Sequence, residues 1–395
     1  MKIKHLLAIP FVFSLLTNSF GQNRSIHFEE GDWNSIVAKA QSANKPIFVD
    51  AYAVWCGPCK WMSATVFTND SVADFYNENY VNVKMDMEKG EGIELAKKWE
   101  VRAYPTLIYF NSNGELMDQY CGAYPTQQFI EIGKNATNPD LQLATLNKRY
   151  SSGDYENSFL LEYVNRLAQS CKDVSSVIKE YFKTQPEESL IHEENWNLIY
   201  YYLEEPQSET FKYFETNQEE FGNKYGKELV EGKLKGVYIN YILEPSYQNK
   251  FEEVEKRKLD IASKNTASSK AAINEADLLI FQSKSDWDNY ISTANKIISS
   301  RSDLGFQFYN QIAWTIFEKS NNKNHLKTAA NWAKKSIAIN ENVYNLDTYA
   351  NILFVLGDKK NAISYQKKAV ELAEKTSDPI LDELKENLKL FEGKK

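Results

Sequence analysis

Cys56 and Cys59, three residues apart in AVWCGPCKW (53–61), are the residues of this chain best placed to do chemistry. A pair this close can exchange disulfides, supply part of a metal site, or lock shut as a bridge. PIFVDAYA (46–53), just before the pair, is a dense apolar run suited to a central strand buried on both faces, and the residues after it read as a helix. A cysteine at a helix start meets unpaired N–H groups and the positive end of the helix dipole. Both stabilise a thiolate, the species that attacks disulfides. Cys56 is then the nucleophile, and Cys59, one turn inward, resolves the mixed disulfide. Gly57 and Pro58 form the motif loop, where Pro58 presets helical φ and its missing N–H costs nothing. Zinc needs four ligands, usually two such pairs. Cys121 and Cys171 form no second CxxC, and His27, His192 and His325 stand isolated, so no metal site is expected. Cys121 and Cys171 are read as packing residues, Cys171 within a helical segment.

The elements that must hold this pair follow from the patterning. Residues 26–29 suggest a short strand, and Asp32 caps a helix running to about Ala43. Residues 59–79 are helical with a break near Asn69 and Asp70. VNVKMDM (81–87) alternates as a strand should, and 91–99 reads as a helix. PTLIYF, NSNG and ELMDQYCG predict a hairpin turning at Asn113 and Gly114, and Thr126 is expected to cap a helix to about Asn135. Helices alternating with strands before a terminal hairpin imply an α/β domain, a mixed central sheet flanked by helices. Asp50 stands out inside the apolar strand, because a buried carboxylate is costly unless it is paired or used.

After Pro139 the strand signals stop, and 140–395 shows helical periodicity with few Gly and Pro. NQIAWTIF (310–317) echoes DTYANILF (347–354), and AANWAKKSI (329–337) echoes AISYQKKAV (362–370). One two-helix unit is thus used twice, with Gly357, Ala362 and Ala369 small enough for close packing. This resembles tetratricopeptide repeats over 301–395, with 140–300 a helical region carrying degenerate relatives. Such repeats imply a surface for a peptide or protein ligand. Trp196, Ile199, Tyr200 and Leu203 recur at helical spacing and read as core, and the lysines at 359, 360, 367 and 368 as a solvated face.

FVDAYAVWCGPCK, VRAYPTLIYF and NGELMDQYCGAY, in that order, resemble the thioredoxin family over 26–136. The stretch after the motif, WMSATVFTNDSVADFYNENYVNVKMD, is closer to the thioredoxin-like domain of membrane disulfide-reductase transporters and related exported reductases. The resemblance implies a thioredoxin-like domain over 22–139. It implies a catalytic set of Cys56, Cys59, Asp50, Lys84 and Pro105. Asp50 would relay the proton of Cys59, Lys84 would partner Asp50, and Pro105 would be the cis-proline facing the cysteines. Trp55, Tyr104 and Gly122 match the substrate-binding surface, although Tyr104 is bulkier than the small or aliphatic residue usual before that proline. No bound cofactor is implied, since the Cys56–Cys59 disulfide itself carries the electrons.

Lys2 and Lys4, the apolar run LLAIPFVFSLL (6–16) and small residues to Gly21 read as a signal peptide over 1–21. The run is short of the ~20 residues that span a bilayer. The expected product is exported, periplasmic if bacterial, with no membrane insertion after cleavage. Losing two lysines takes the formal charge from −8 to −10. An acidic chain repels phosphate backbones, so nucleic acid is not an expected partner. The leading expectation is a thiol-disulfide oxidoreductase that reduces protein disulfides and draws electrons from a membrane thiol donor. Oxidase or isomerase action by the same dithiol, and a repeat-based adaptor on an inert platform, remain as alternatives.

Overall fold

A computed structural model describes residues 24–393, so the signal-peptide segment lies outside the described residues. The chain divides into two compact units, one ending at Pro186 and the other beginning at Glu187.

The first unit carries the sheet. Its elements are β1 (Phe28–Glu29), α1 (Trp33–Ala43), β2 (Ile47–Tyr52), α2 (Gly57–Trp61), α3 (Asp70–Asn79), β3 (Val81–Asp86), α4 (Gly92–Lys98), β4 (Thr106–Phe110), β5 (Leu116–Cys121) and α5 (Thr126–Ala136). The spatial order is β1-β3-β2-β4-β5, with β1, β3 and β2 parallel and β4 and β5 added antiparallel. Sheet and helices thus form a mixed α/β domain. Asp32 caps α1 by accepting the Ser35 N–H at 2.8 Å, and Asn69 caps α3 through the Ser71 N–H at 3.0 Å. At α5 the capping position belongs to Pro125 rather than Thr126, which is the first helical residue.

Strand alternation sorts two cores onto the two faces of the sheet. Ile47, Val49 and Ala51 of β2 join Val81, Val83 and Met85 of β3 against Trp33, Ile36 and Ala40 of α1. Phe48 faces the other way, with Met62, Val66, Tyr76, Tyr109 and Phe129. The same alternation sends Asp50 and Lys84 to the second face.

The unit does not stop at the last α/β helix. α6 (Leu143–Ser151), α7 (Asn157–Gln169) and α8 (Ser175–Lys183) belong to it, beyond the boundary expected at 139. Arg166 of α7 reaches Asp118 of β5, a carboxylate with no exposed surface. Its guanidinium lies 3.8 Å over the Tyr120 ring. Cys121 and Cys171 are not the separate packing residues expected: they form a disulfide, and Cys171 sits in the turn after α7 with φ 51°. Closing a loop of 50 residues contributes up to about 4 kcal/mol in a chain-entropy account.

The second unit is helical: α9 (Glu193–Tyr202), α10 (Glu209–Thr216), α11 (Gln218–Tyr225), α12 (Lys227–Leu243), α13 (Phe251–Ser263), α14 (Ala267–Ser283), α15 (Trp287–Ser300), α16 (Phe306–Lys319), α17 (Lys323–Ile339), α18 (Val343–Leu356), α19 (Lys359–Thr376) and α20 (Leu381–Glu392). The echoed segments fall on two consecutive packed pairs, α16 with α17 and α18 with α19. Fully buried alanines at 313, 329, 333, 350, 362 and 369 let those helices approach. Gly357 ends α18 at φ 90°, a left-handed position that costs glycine nothing. Ser336 donates to Phe306 O at 2.8 Å and accepts from Asn345 at 3.0 Å, stitching three helices through one buried hydroxyl. Trp196, Ile199 and Leu203 are buried, as their spacing indicates, whereas Tyr200 of the same set is only half-buried; the four lysines on α19 are exposed. Among the described residues, no helix is long and apolar enough to cross a membrane.

Candidate functional site

β2 delivers the chain to the motif and α2 starts there. Cys56 is the N-cap of α2, and its Sγ accepts the Cys59 N–H at 3.1 Å. Gly57 and Pro58 are the first helical residues, where proline is tolerated. Cys56 and Cys59 are joined in a disulfide with Cα atoms 5.3 Å apart. Both are nearly buried, among Ala53, Tyr52 and Tyr104. After α2 the helix widens into a π-helical turn, Met62–Val66, which supplies Met62 and Val66 to the core.

Asp50 and Lys84 meet because β2 and β3 pair in parallel register, residue opposite residue. The Lys84 ammonium lies 3.4 Å from the Asp50 carboxylate and donates to Ser63 Oγ at 2.6 Å. It also lies 4.8 Å from the Tyr52 ring centroid, within cation–π range. Asp50 is 1% exposed. Burial pushes its pKa up to about 6, against the opposing pull of Lys84.

That shift has a measurable consequence. A carboxyl whose folded pKa exceeds its unfolded value holds its proton longer in the native state. Stability therefore falls as pH rises from ~4 to ~6 and then levels. About two units correspond to about 3 kcal/mol. Relative to Asp50→Asn, the parent is expected to lose about 3 kcal/mol between pH ~4 and pH ~8, read by urea unfolding at both. A stability difference independent of pH would remove the assignment.

The Tyr104–Pro105 bond is cis. Gly122 donates its N–H to Pro105 O at 2.8 Å and has φ 100° with open space where a Cβ would stand. Tyr104 packs against the cysteine cluster, and its ring meets Trp55 edge-on with centroids 5.9 Å apart. Trp55 is 65% exposed yet held, its indole N–H donating to Glu88 Oε2 at 2.7 Å. An exposed but anchored aromatic beside a disulfide, next to a half-exposed Tyr104, makes a surface that can receive a polypeptide.

The structure thus gathers Cys56, Cys59, Tyr104 and Trp55 on one side of the sheet end and joins Pro105 to Gly122. It pairs Asp50 with Lys84 one strand inward. Ser63 and Glu88 escape a reading of the sequence, because each acts through one contact with no pattern of its own. The Cys121–Cys171 bridge had a signal, an even cysteine count in a chain expected to be exported. Among the described residues, no group of three or more His, Cys, Asp or Glu could hold a metal ion.

Residues 33–137 match the thioredoxin-like domain family. The chain is 36% identical over 104 residues to chloroplastic thioredoxin Y2 of Arabidopsis thaliana, covering 26% of this chain and 59% of that protein. It is 34% identical over 93 residues to thioredoxin of Mycoplasmoides gallisepticum, covering 24% of this chain and 86% of that one. Against the solution structure of a candidate disulphide-isomerase from Bacteroides thetaiotaomicron, identity is 43%. That match covers 30% of this chain and 97% of the other, with a TM-score of 0.28. The chain spans 59% of the length of the plant relatives thioredoxin Y2 and Y1.

Proposed function

Through residues 33–137 the chain belongs to the thioredoxin-like family, and from that membership we propose an exported thiol-disulfide oxidoreductase that reduces protein disulfides. The observation that carries the reading is Cys56 standing at the N-cap of α2 while bonded to Cys59. In the reduced enzyme the Cys56 thiolate attacks one sulfur of a client disulfide, forming a mixed disulfide and releasing a client thiolate. Cys59 then gives up its proton and attacks Cys56 Sγ, which reforms the Cys56–Cys59 bond and frees the second client thiol. The dithiol loses two electrons to the client, whose two thiolates take up one proton from Cys59 and one from solvent, where Cys56 released its own on ionising. Asp50 is the group that takes the Cys59 proton, since its pKa of about 6 lets it both accept and release a proton near neutrality. Lys84 keeps that carboxylate oriented. Trp55, Tyr104, Pro105 and Gly122 form the wall along which an extended client lies.

Regeneration needs an external dithiol, and for an exported protein a membrane thiol donor is the class that fits. The reaction needs no bound cofactor, because the two sulfurs hold the electron pair. Equilibration with glutathione tests the direction. A reduction potential near about −270 mV is the expected result for a reductase, and a value near about −120 mV would make the protein an oxidant.

The two packed helix pairs of the second unit favour an accompanying role. They resemble tetratricopeptide repeats, and we propose that they bind a peptide or protein ligand and so select clients for the dithiol.

A further inference from the structure

Two adjacent residues outside the matched domain hold both ends of the loop that carries the cis-proline. Before the loop, Lys172 Nζ donates to Trp99 O at 3.1 Å and to Glu100 Oε2 at 2.8 Å. The Lys172 side chain is 12% exposed while Glu100 is 62% exposed, so the bond to Trp99 O is the shielded hold and the ion pair is a surface addition to it. Glu100 has φ 54°, a strained position for a residue with a side chain. After the loop, Cys171 is bonded to Cys121, and Cys121 pairs in register with Thr106, the residue following Pro105. Ser170 adds a third hold, donating its hydroxyl to Gln119 O at 2.6 Å. The segment 101–105 between these anchors is itself partly exposed, with only Pro105 buried.

We propose that the turn 170–172 is a clamp that positions the Tyr104–Pro105 loop for extended polypeptide clients, with Cys121, Cys171 and Lys172 as its positioning residues. The inference rests on the proposed function, because it concerns the wall along which that client lies. A loop fixed at both ends offers its backbone groups already oriented, so less freedom is lost when a chain binds. A small disulfide that reaches only the sulfurs gains nothing from this. The clamp therefore acts on recognition of proteins and leaves the exchange chemistry alone.

The test uses the full chain with two variants, Cys121→Ala/Cys171→Ala and Lys172→Met. Hydrogen exchange of the amides at 101–104 and 106 is expected to accelerate in both, while 81–86 in the core is unchanged. KM for insulin, a protein disulfide, is expected to rise about tenfold with kcat retained, and turnover of oxidised glutathione to stay at the parent value. Unchanged exchange at 101–104 and 106 in both variants would overturn the proposal. So would equal losses with insulin and glutathione that merely follow thermal stability. If the parent turns over neither disulfide, the oxidoreductase reading fails, and the exchange rates still decide whether the clamp exists. Should the double cysteine variant not fold, Lys172→Met alone carries both readouts.

Discussion

Cys59→Ser is expected to cut turnover of protein disulfides by roughly 10³-fold or more while Cys56 accumulates clients as mixed disulfides. The two sulfurs are unequal because of where the chain puts them. Cys56 occupies the N-cap of α2, where unpaired N–H groups and the dipole favour its thiolate, and Cys59 is one turn inside the helix. Removing the inner sulfur leaves the attack intact and deletes the step that releases the client. Removing the outer one, in Cys56→Ser, deletes both, so that variant is expected to trap nothing. The loop closed by this disulfide is only three residues, so the fold should survive either change. Non-reducing gels followed by mass spectrometry read the result. Parent-level turnover in Cys59→Ser would mean that the pair is a structural bridge.

Much of this site is legible before any coordinates, for identifiable reasons. The apolar run 46–53 suits a strand buried on both faces, so a carboxylate within it stands out as a residue whose cost needs a pair or a use. β2 places Asp50 opposite Lys84 by register alone. The cis bond at Pro105 and the exposed Trp55 follow from a family resemblance that rests on ordered motifs, not on local propensity. What stays hidden is whatever depends on meeting across the chain. Cys121 sits in an alternating strand and Cys171 in a helix-rich stretch, and each has a bland local explanation. Their pairing exists only because α6–α8 return to β5. Asp118 looks like a solvent-facing residue in LMDQYC and Arg166 like a polar position on an amphipathic helix, yet both are buried. The helix pairs of the second unit show the opposite case. Their packing is local in sequence, between one helix and the next, and the echo is readable directly.

Arg166→Leu is expected to destabilise the sheet-bearing unit by about 3–5 kcal/mol, because it strands a buried charge. Asp118 has no exposed surface, and among the described residues the Arg166 guanidinium is the charged group paired with it. What remains would be neutral donors, the backbone N–H groups of Gln119 at 3.0 Å and Leu143 at 3.3 Å and the Tyr120 hydroxyl. Arg166 also donates to Gln119 O, so the substitution unfastens α7 from β5 at two points, and it removes a bond to Ser170 Oγ at the end of its own helix. For a unit of this size the loss corresponds to a fall in Tm of roughly 10 °C. Burial already raises the Asp118 pKa, with Arg166 pulling the other way. Without Arg166 the shift grows, so the deficit should be widest at high pH and shrink as falling pH protonates the carboxyl. The double variant Arg166→Leu with Asp118→Asn is expected to recover at least half of the loss, since removing both charges is far cheaper than orphaning one. Single and double variants of equal stability across pH would mean that the pair contributes packing only. The attachment of α6–α8 to the sheet would then rest on the Cys121–Cys171 bond, the Ser170 hydroxyl on Gln119 O and apolar contact.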